Sequence, residues 1–342
     1  MTVTKSRKPT VPQMVDIARL AGVSKSTVSR ALADSPLVND KTKALVKKIA
    51  IEHNYRLNVA ARNFRLKESL TISVLLPTAV GADWRLSDPF FLELLGAIAD
   101  SVDAHGHQLL LSRTSPQDGN WIKSFVEKRN ADGLILIGQG SQHKAINELA
   151  KNYKALSVWG AKLEDTMHYP VVGTDNELGG KRITTHLLSQ GRRRIAFLGL
   201  RDSPEIMQRF AGYCLAHNEL DLPWHKSLVI EDQINPLPLQ TQLKKLLALK
   251  SGCDAIVASS DVQAMSAIQS LQELGLSVPR DIAVVGYDDI TLAQYYNPAL
   301  TTIHQDRKQA GNFLVENVLS AINGGETTTR TLDPELVVRD SA

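Results

Sequence analysis

The sequence predicts an N-terminal all-α helix-turn-helix domain followed by an α/β body of two doubly wound lobes. Three observations predict it. Two short amphipathic stretches flank a glycine between residues 14 and 32, short apolar runs alternate with helical stretches from Ser69 onward, and the two regions differ in charge. Residues 1–68 hold fourteen Lys and Arg against five Asp and Glu, whereas the rest of the chain holds 25 against 31. At 342 residues with 43% hydrophobic content, the chain can bury more than one core.

The first helix places Met14, Ile17, Ala18 and Ala21 at i, i+3, i+4 and i+7, a single apolar stripe with Asp16 and Arg19 pointing away from it. Gly22 ends it, because the residue past a helix end often adopts a left-handed conformation that costs glycine nothing. Ser24 can cap the second helix by accepting from a free backbone N–H near Ser26 or Thr27. On that helix Lys25, Ser26, Ser29 and Arg30 share one arc, and Val28, Ala31 and Leu32 share the other. An amphipathic helical hairpin alone is common. Joined to a net positive charge of nine on the first 68 residues, it has the electrostatic footprint of a phosphate-binding module.

A third helix follows, with Asn39 as its cap and Leu45, Val46, Ile49, Ala50 and His53 on a helical period. Three short helices around Ile17, Val28, Leu45 and Ile49 then make a minimal domain. The segment from Asn58 to Leu66 has good helix formers and two arginines but is too short to be stable alone in water, so it reads as a conditional helix or as a basic linker.

In the body, Thr71–Leu76, Gln108–Leu111, Leu134–Ile137, Ala155–Trp159, Ile195–Leu198, Ala255–Val257 and Ile282–Val285 read as buried parallel strands. Helical stretches lie near 90–104, 118–129, 143–152, 176–190, 205–219, 239–249 and 261–274. Repeated βα units imply open, doubly wound sheets, and the run is long for one sheet, so two lobes with a cleft between them is the expected arrangement.

Composition excludes several classes. Lys5, Arg7 and Lys8 are followed by Pro9, Pro12, Gln13 and Asp16 where a signal peptide would need an apolar stretch, and no run approaches a membrane span, so a cytoplasmic location is expected. Cys214 and Cys253 form no CxxC, and the nine histidines make no metal-ligand pair, so neither a metal nor another cofactor is expected. Asp288 and Asp289 after a strand leave an α/β enzyme as a distant alternative. There is no P-loop or nucleophile elbow, and Gly138 with Gly140 lacks the third glycine of a dinucleotide fingerprint.

The motifs V-D-I-A-R-L-A-G-V-S-K-S-T-V-S-R-A-L at 15–32, V-N-D-K-T at 38–42, G-Y-D-D at 286–289 and L-T-T-I-H-Q-D at 300–306, with the segment from Asn58 to Phe64, resemble the LacI/GalR family of bacterial transcription regulators. The stretch from Gly180 to Ile195 adds to the resemblance, which extends over essentially the whole chain. It implies a periplasmic-binding-protein-like body crossed three times by the chain, near 174, 306 and 323. The implied domains are 1–57 for DNA binding, 58–68 for the hinge helix and linker, and 69–342 for effector binding and dimerisation. One lobe would hold 69–174 and 307–322, the other 175–306 and 323–342.

By that resemblance Lys25, Ser26 and Arg30 face base edges, with Arg30 suited to a bidentate bond to guanine. Ser24, Thr27, Asn39 and Thr42 match phosphate-holding positions, a role compatible with capping. Ala61 and Phe64 match the pair that enters the minor groove, although the family usually has leucine where Phe64 stands, and Leu57 replaces a common proline. A pseudo-palindromic operator and a homodimer follow. The absence of a leucine heptad after P-E-L-V-V argues against a coiled-coil tetramer.

For the effector, Arg209 in R-F-A-G-Y matches an arginine that reaches ligand oxygens, and Asp288 matches an acid that accepts from ligand hydroxyls or N–H groups. Phe90, Phe91 and Trp159 offer flat walls for a sugar ring or a planar base, with core packing the rival role for each. Ser260 stands where many sugar-responsive relatives have Asn, and Val158, beside Trp159, stands where relatives often supply Asp. The reading is a repressor of sugar or glycoside use relieved by a sugar, with a nucleobase or another metabolite as the alternative effector.

Overall fold

The structure, a computed structural model, describes residues 12–55, 69–77, 87–114, 121–127, 131–163, 166–199, 203–230, 238–249 and 252–342. The expected hinge, with Asn58, Ala61 and Phe64, lies outside the described residues, as does Leu57. The chain divides into two units, 1–69 and 70–342.

In the first unit α1 (Met14–Ala21), α2 (Lys25–Leu32) and α3 (Asp40–Glu52) pack around Ile17, Val28, Ala31, Val38, Val46 and Ile49. Gly22 takes φ 64°, ending α1 in the left-handed region. Ser24 Oγ accepts from the Thr27 N–H at 3.1 Å, and Asn39 Oδ1 accepts from the Thr42 N–H at 2.8 Å, so the second and third helices each start on a side-chain cap. One expectation needs correction: Leu45 is 46% exposed and His53 is exposed, and the buried stripe of α3 runs through Val46, Ile49 and Ala50. An apolar residue one step off the stripe fits the same period but turns about 100° away from the core.

The second unit begins with a six-stranded parallel sheet in the order β11-β5-β4-β3-β1-β2. Its strands are β1 (Thr71–Pro77), β2 (Gln108–Thr114), β3 (Gly133–Ile137), β4 (Leu156–Trp159), β5 (Val171–Thr174) and β11 (Arg330–Leu332). Side chains alternate between its faces. Ile72, Val74, Ile135, Ile137 and Val172 meet α4 (Pro89–Ala104) and α11 (Arg307–Ile322), while Leu75, Leu134, Leu136, Leu156 and Val158 meet α5 (Trp121–Glu127) and α6 (His143–Asn152).

The second lobe carries a four-stranded parallel sheet, β7-β6-β8-β9, from β6 (Ile195–Leu198), β7 (Val229–Ile230), β8 (Ala255–Ala258) and β9 (Ala283–Val285). Its faces meet α7 (Asn176–Ser189) with α8 (Pro204–Asn218), and α9 (Leu239–Leu247) with α10 (Asp261–Glu273). An antiparallel pair, β10 (Thr302–His304) and β12 (Glu335–Val337), joins through bridges from Val285 to Thr301 and from Asp288 to His304.

β11 moves one boundary. Because Arg330–Leu332 pairs with β5, and Asn317 of α11 donates to the Thr328 carbonyl at 3.0 Å, the chain is still in the first lobe at 332. The third crossing therefore falls between Leu332 and Glu335, about ten residues beyond the expected 323. A three-residue strand with two exposed residues has too little apolar content to announce itself. Among the described residues no helix is long and apolar enough to cross a membrane.

Candidate DNA-reading face and effector cleft

On α2, Lys25, Ser26 and Arg30 are exposed and Ser29 is half-buried, whereas Val28 and Ala31 face the core. Ser24 Oγ lies 2.7 Å from Ser26 Oγ and 2.8 Å from Thr27 Oγ1, a hydroxyl cluster at the start of the helix, where backbone N–H groups and the helix dipole favour anions. Lys43, Lys47 and Lys48 are engaged by Asp40, Asp34 and Glu52. Among the described residues, Lys25 and Arg30 have no such partner. The cations on the proposed reading arc are thus left available, while those on α3 are partly neutralised.

In the second unit the key group is Arg209, placed by a close helix crossing. A Cβ at Gly180 would lie 2.2 Å from the Arg209 carbonyl oxygen, and one at Gly212 would lie 2.0 Å from the Glu177 carbonyl oxygen, so α7 and α8 approach each other only because both positions lack a side chain. Arg209 Nε donates to Asn176 Oδ1 at 2.8 Å, and a terminal nitrogen donates to the Ser259 carbonyl at 2.5 Å. The same nitrogen is 3.6 Å from Asp288 Oδ1, and the guanidinium sits 3.7 Å over the Tyr287 ring. Such stacking suits arginine's planar, weakly hydrated head.

Asp288 lies just past β9 in a backbone conformation unusual for any residue but glycine, with φ 121°, followed by Asp289 at φ 51°. The turn is held from both sides. The Asp261 carboxylate accepts from the Ile290 N–H at 2.9 Å and from the Thr302 hydroxyl at 2.6 Å. From the first lobe, Arg307 donates to the Asp288 carbonyl and, at 2.9 Å, to the Asp289 carbonyl; it also pairs with Glu93 at 3.1 Å. Gln305 Nε2 donates to Asp288 Oδ1 at 2.7 Å. Burial raises the Asp288 carboxyl well above the usual carboxylate range, and Arg209 opposes that rise.

The remaining expected residues divide. Phe90 and Trp159 are only 5% and 6% exposed, pack with ring centroids 5.7 Å apart, and belong to the core under α4. Phe91 is half-buried against the same core. Ser260 caps α10, its Oγ accepting from the Gln263 N–H at 3.3 Å, and it is Ser259 that meets Arg209. Asp289 is bound by His304 at 2.9 Å and Arg339 at 2.7 Å. Burial alone would raise its carboxyl, but these two partners outweigh that and hold it low. The two acids therefore serve different partners rather than forming a catalytic pair, and among the described residues no cluster could hold a metal ion.

Sequence reasoning missed Asn176, Asp261 and Gln305, and also Asp88 and Glu205, whose carboxyls Arg209 attracts. Two of them left a trace: Asp88 precedes Pro89 as an N-cap and accepts from the Phe90 N–H at 2.9 Å, and Asn176 follows the strand-ending Thr174 by two residues. The others meet the site only through the fold.

With this geometry in view, residues 13–58 match the model of bacterial regulatory proteins of the lacI family, and residues 184–342 match a periplasmic binding protein-like domain. The ribose operon repressor of Haemophilus influenzae is 30% identical over 336 residues, covering 96% of this chain and 98% of that protein. The HTH-type transcriptional repressor PurR of Aliivibrio salmonicida is 28% identical over 335 residues, covering 95% and 97%. The crystal structure of the Lac repressor bound to ONPG in the repressed state superposes with a TM-score of 0.81 at 26% identity, covering 97% of this chain and all of that one.

Proposed function

The chain belongs to the lacI family of bacterial regulatory proteins, a transcriptional repressor with an effector-binding body, and from that premise we propose that it represses genes of sugar or glycoside use and leaves its operator when a sugar fills the cleft beside Arg209 and Asp288. The observation that carries this reading is the pairing of the Arg209 guanidinium, its side chain 11% exposed, with the buried Asp288 carboxyl at the carboxyl ends of the second-lobe strands. Ligands of doubly wound sheets bind at such strand ends, and a donor beside an acceptor suits the hydroxyls of a sugar. Lys25, Ser26 and Arg30 read bases, Ser29 lies on the same arc, and Ser24, Thr27, Asn39 and Thr42 hold phosphates while capping their helices.

The protein acts as a cytoplasmic homodimer on an inverted repeat. Apolar side chains left exposed on the second unit support a partner surface: Leu92 on α4, Val262 on α10, and Leu292 and Tyr295 in the turn after Asp289. Asn58, Ala61 and Phe64, outside the described residues, match by resemblance the positions that meet the operator's minor groove. The Arg307–Glu93 pair ties the effector turn to the first lobe, since Glu93 Oε1 also accepts from the Thr291 N–H at 2.9 Å.

Selecting genomic fragments with the purified chain, then titrating the enriched duplex with ribose, glucose, maltose, cellobiose, adenine and guanine in an anisotropy assay, tests the proposal. The expected result is an inverted-repeat site released by one of the sugars. Release or tightening by a nucleobase alone, or no response to any of the six, rejects the sugar reading.

A further inference from the structure

The turn that carries Asp288 has two successive non-glycine residues at positive φ, and such backbone persists only where its surroundings over-determine it. Its second member, Asp289, is held by an arginine other than the one that meets Asp288. Arg339, its side chain 19% exposed, donates from one terminal nitrogen to Asp289 Oδ1 at 2.7 Å and from the other to the Leu300 carbonyl at 2.8 Å. His304 Nδ1 lies 2.9 Å from Asp289 Oδ2, so each oxygen of that carboxylate has its own partner.

Residues 339–342 bring Arg339 to this place. β9 is the outer strand of its sheet, and Ser341, wholly buried, lies along it: its carbonyl accepts from the Val284 N–H at 3.0 Å, and its hydroxyl donates to the Val284 carbonyl at 2.6 Å. Ser341 Oγ also accepts from the Thr301 N–H at 2.9 Å, and the Arg339 N–H donates to the Thr301 hydroxyl at 2.9 Å. Asp288 lies only a few residues beyond Val284, so the segment that finishes the sheet edge also fixes where the guanidinium meets the turn. Charge works in the same direction. Burial pushes the Asp261 carboxyl, which binds the turn at Ile290, up to about 7, and Arg339 opposes that rise as it does for Asp289.

We infer that Arg339 is a positioning residue for the effector acid: by pinning Asp289 it holds the strained turn in the conformation that sets Asp288 beside Arg209. This rests on the proposal that the effector lies beside Arg209 and Asp288. It makes the edge of β9, and not the cleft alone, part of what the effector response depends on.

Hydrogen exchange in the full, unliganded chain tests it at two amides: Asp288, whose N–H donates to the Ile303 carbonyl, and Ile290, whose N–H donates to Asp261. In Arg339→Met both should exchange about tenfold faster, the equivalent of one charged hydrogen bond, while the amides of β6 and β8 keep their rates. Arg339→Lys should recover most of the protection, since an ammonium still pairs with Asp289 although it loses the guanidinium's fork. Unchanged exchange at the turn, or equal acceleration across β6 and β8, overturns the inference, the latter by making Arg339 a general prop. Circular dichroism establishes that each variant folds. Where Arg339→Met does not, Asp289→Asn, which keeps the shape and removes the charge that Arg339 holds, takes its place with the same expected and overturning results. A calorimetric arm uses ribose, glucose, maltose, cellobiose, adenine and guanine. Whichever binds the unaltered chain should bind Arg339→Met about tenfold more weakly and Arg339→Lys nearly as well as before, and an affinity unmoved by Arg339→Met overturns the inference. Heat from none of the six rejects the sugar reading, while exchange at the turn still decides the role of Arg339.

Discussion

In the N-terminal unit the cations assigned to function, Lys25 and Arg30, stand exposed without an ion-pair partner among the described residues, whereas in the second unit Arg209 is held by a side-chain amide, a backbone carbonyl, a carboxylate and an aromatic ring. The contrast follows from the ligands. A DNA backbone brings its own charge and meets a reader at the surface, so the reader's cations cost little while they wait in water. A small molecule must displace water from a concave site, so the groups that meet it are already desolvated and must be satisfied by the protein until it arrives.

The sharpest test of this contrast is Arg209→Met. It removes the cation that attracts the Asp88, Glu205 and Asp288 carboxyls and leaves Asn176 Oδ1 and the Ser259 carbonyl without their donor. Breaking a buried pair from one side costs about 3–5 kcal/mol, which urea denaturation would report, and the effector response should vanish. The exposed counterpart, Arg30→Ala, should leave stability within about 0.5 kcal/mol. Equal losses in the two variants would break the contrast.

A second test uses protons. Burial pushes the Asp261 carboxyl up to about 7 although two donors bind it. This acid holds its proton more tightly folded than unfolded, so its stabilisation is complete below the unfolded value of 3.8 and is lost as pH rises through about 7. Asp289, held low by His304 and Arg339, has the opposite sign: its contribution is present above the unfolded value and is lost only in acid. The melting temperature of the second unit should therefore fall between about pH 4 and pH 7, and Asp261→Asn should flatten that slope. An unchanged slope would remove Asp261 as its source.

Arg30→Ala sharpens the other side. Affinity for the selected operator should drop by about 1–3 kcal/mol, with discrimination lost at one base position, as measured by anisotropy on a set of singly substituted duplexes. Uniform weakening across all of them would make Arg30 a phosphate contact.

The same contrast explains what was legible. The head's proposed reading arc lies on one eight-residue helix, so a 3.6-residue period and the caps Ser24 and Asn39 were enough to lay it out. The parallel strands of both lobes were legible as apolar runs, and Arg209 and Asp288 were placed by resemblance. Their partners were not, because Asn176, Glu205 and Gln305 come from three separate segments and are polar residues without a period of their own. Phe90 and Trp159 looked like ligand walls because an aromatic at a strand end or helix start suits either role; only packing distinguishes them, and here it buries both. β11 is a strand only because β5 lies beside it.

The smallest predicted effect concerns the phase of α3, where two neighbouring apolar residues compete for the core. Val46 is fully buried and Leu45 is 46% exposed, although both fit a helical stripe on paper. Val46→Ala should destabilise the head by about 1–3 kcal/mol through lost burial and the cavity left behind. Leu45→Gln removes an apolar side chain that water already reaches and should change stability by no more than about 0.5 kcal/mol. The measurement is amide hydrogen exchange across α3 in the full chain. Faster exchange in Val46→Ala with unaltered exchange in Leu45→Gln would place the helix as described. Equal acceleration in both would turn α3 by one residue and bring Leu45 into the core that the sequence first suggested.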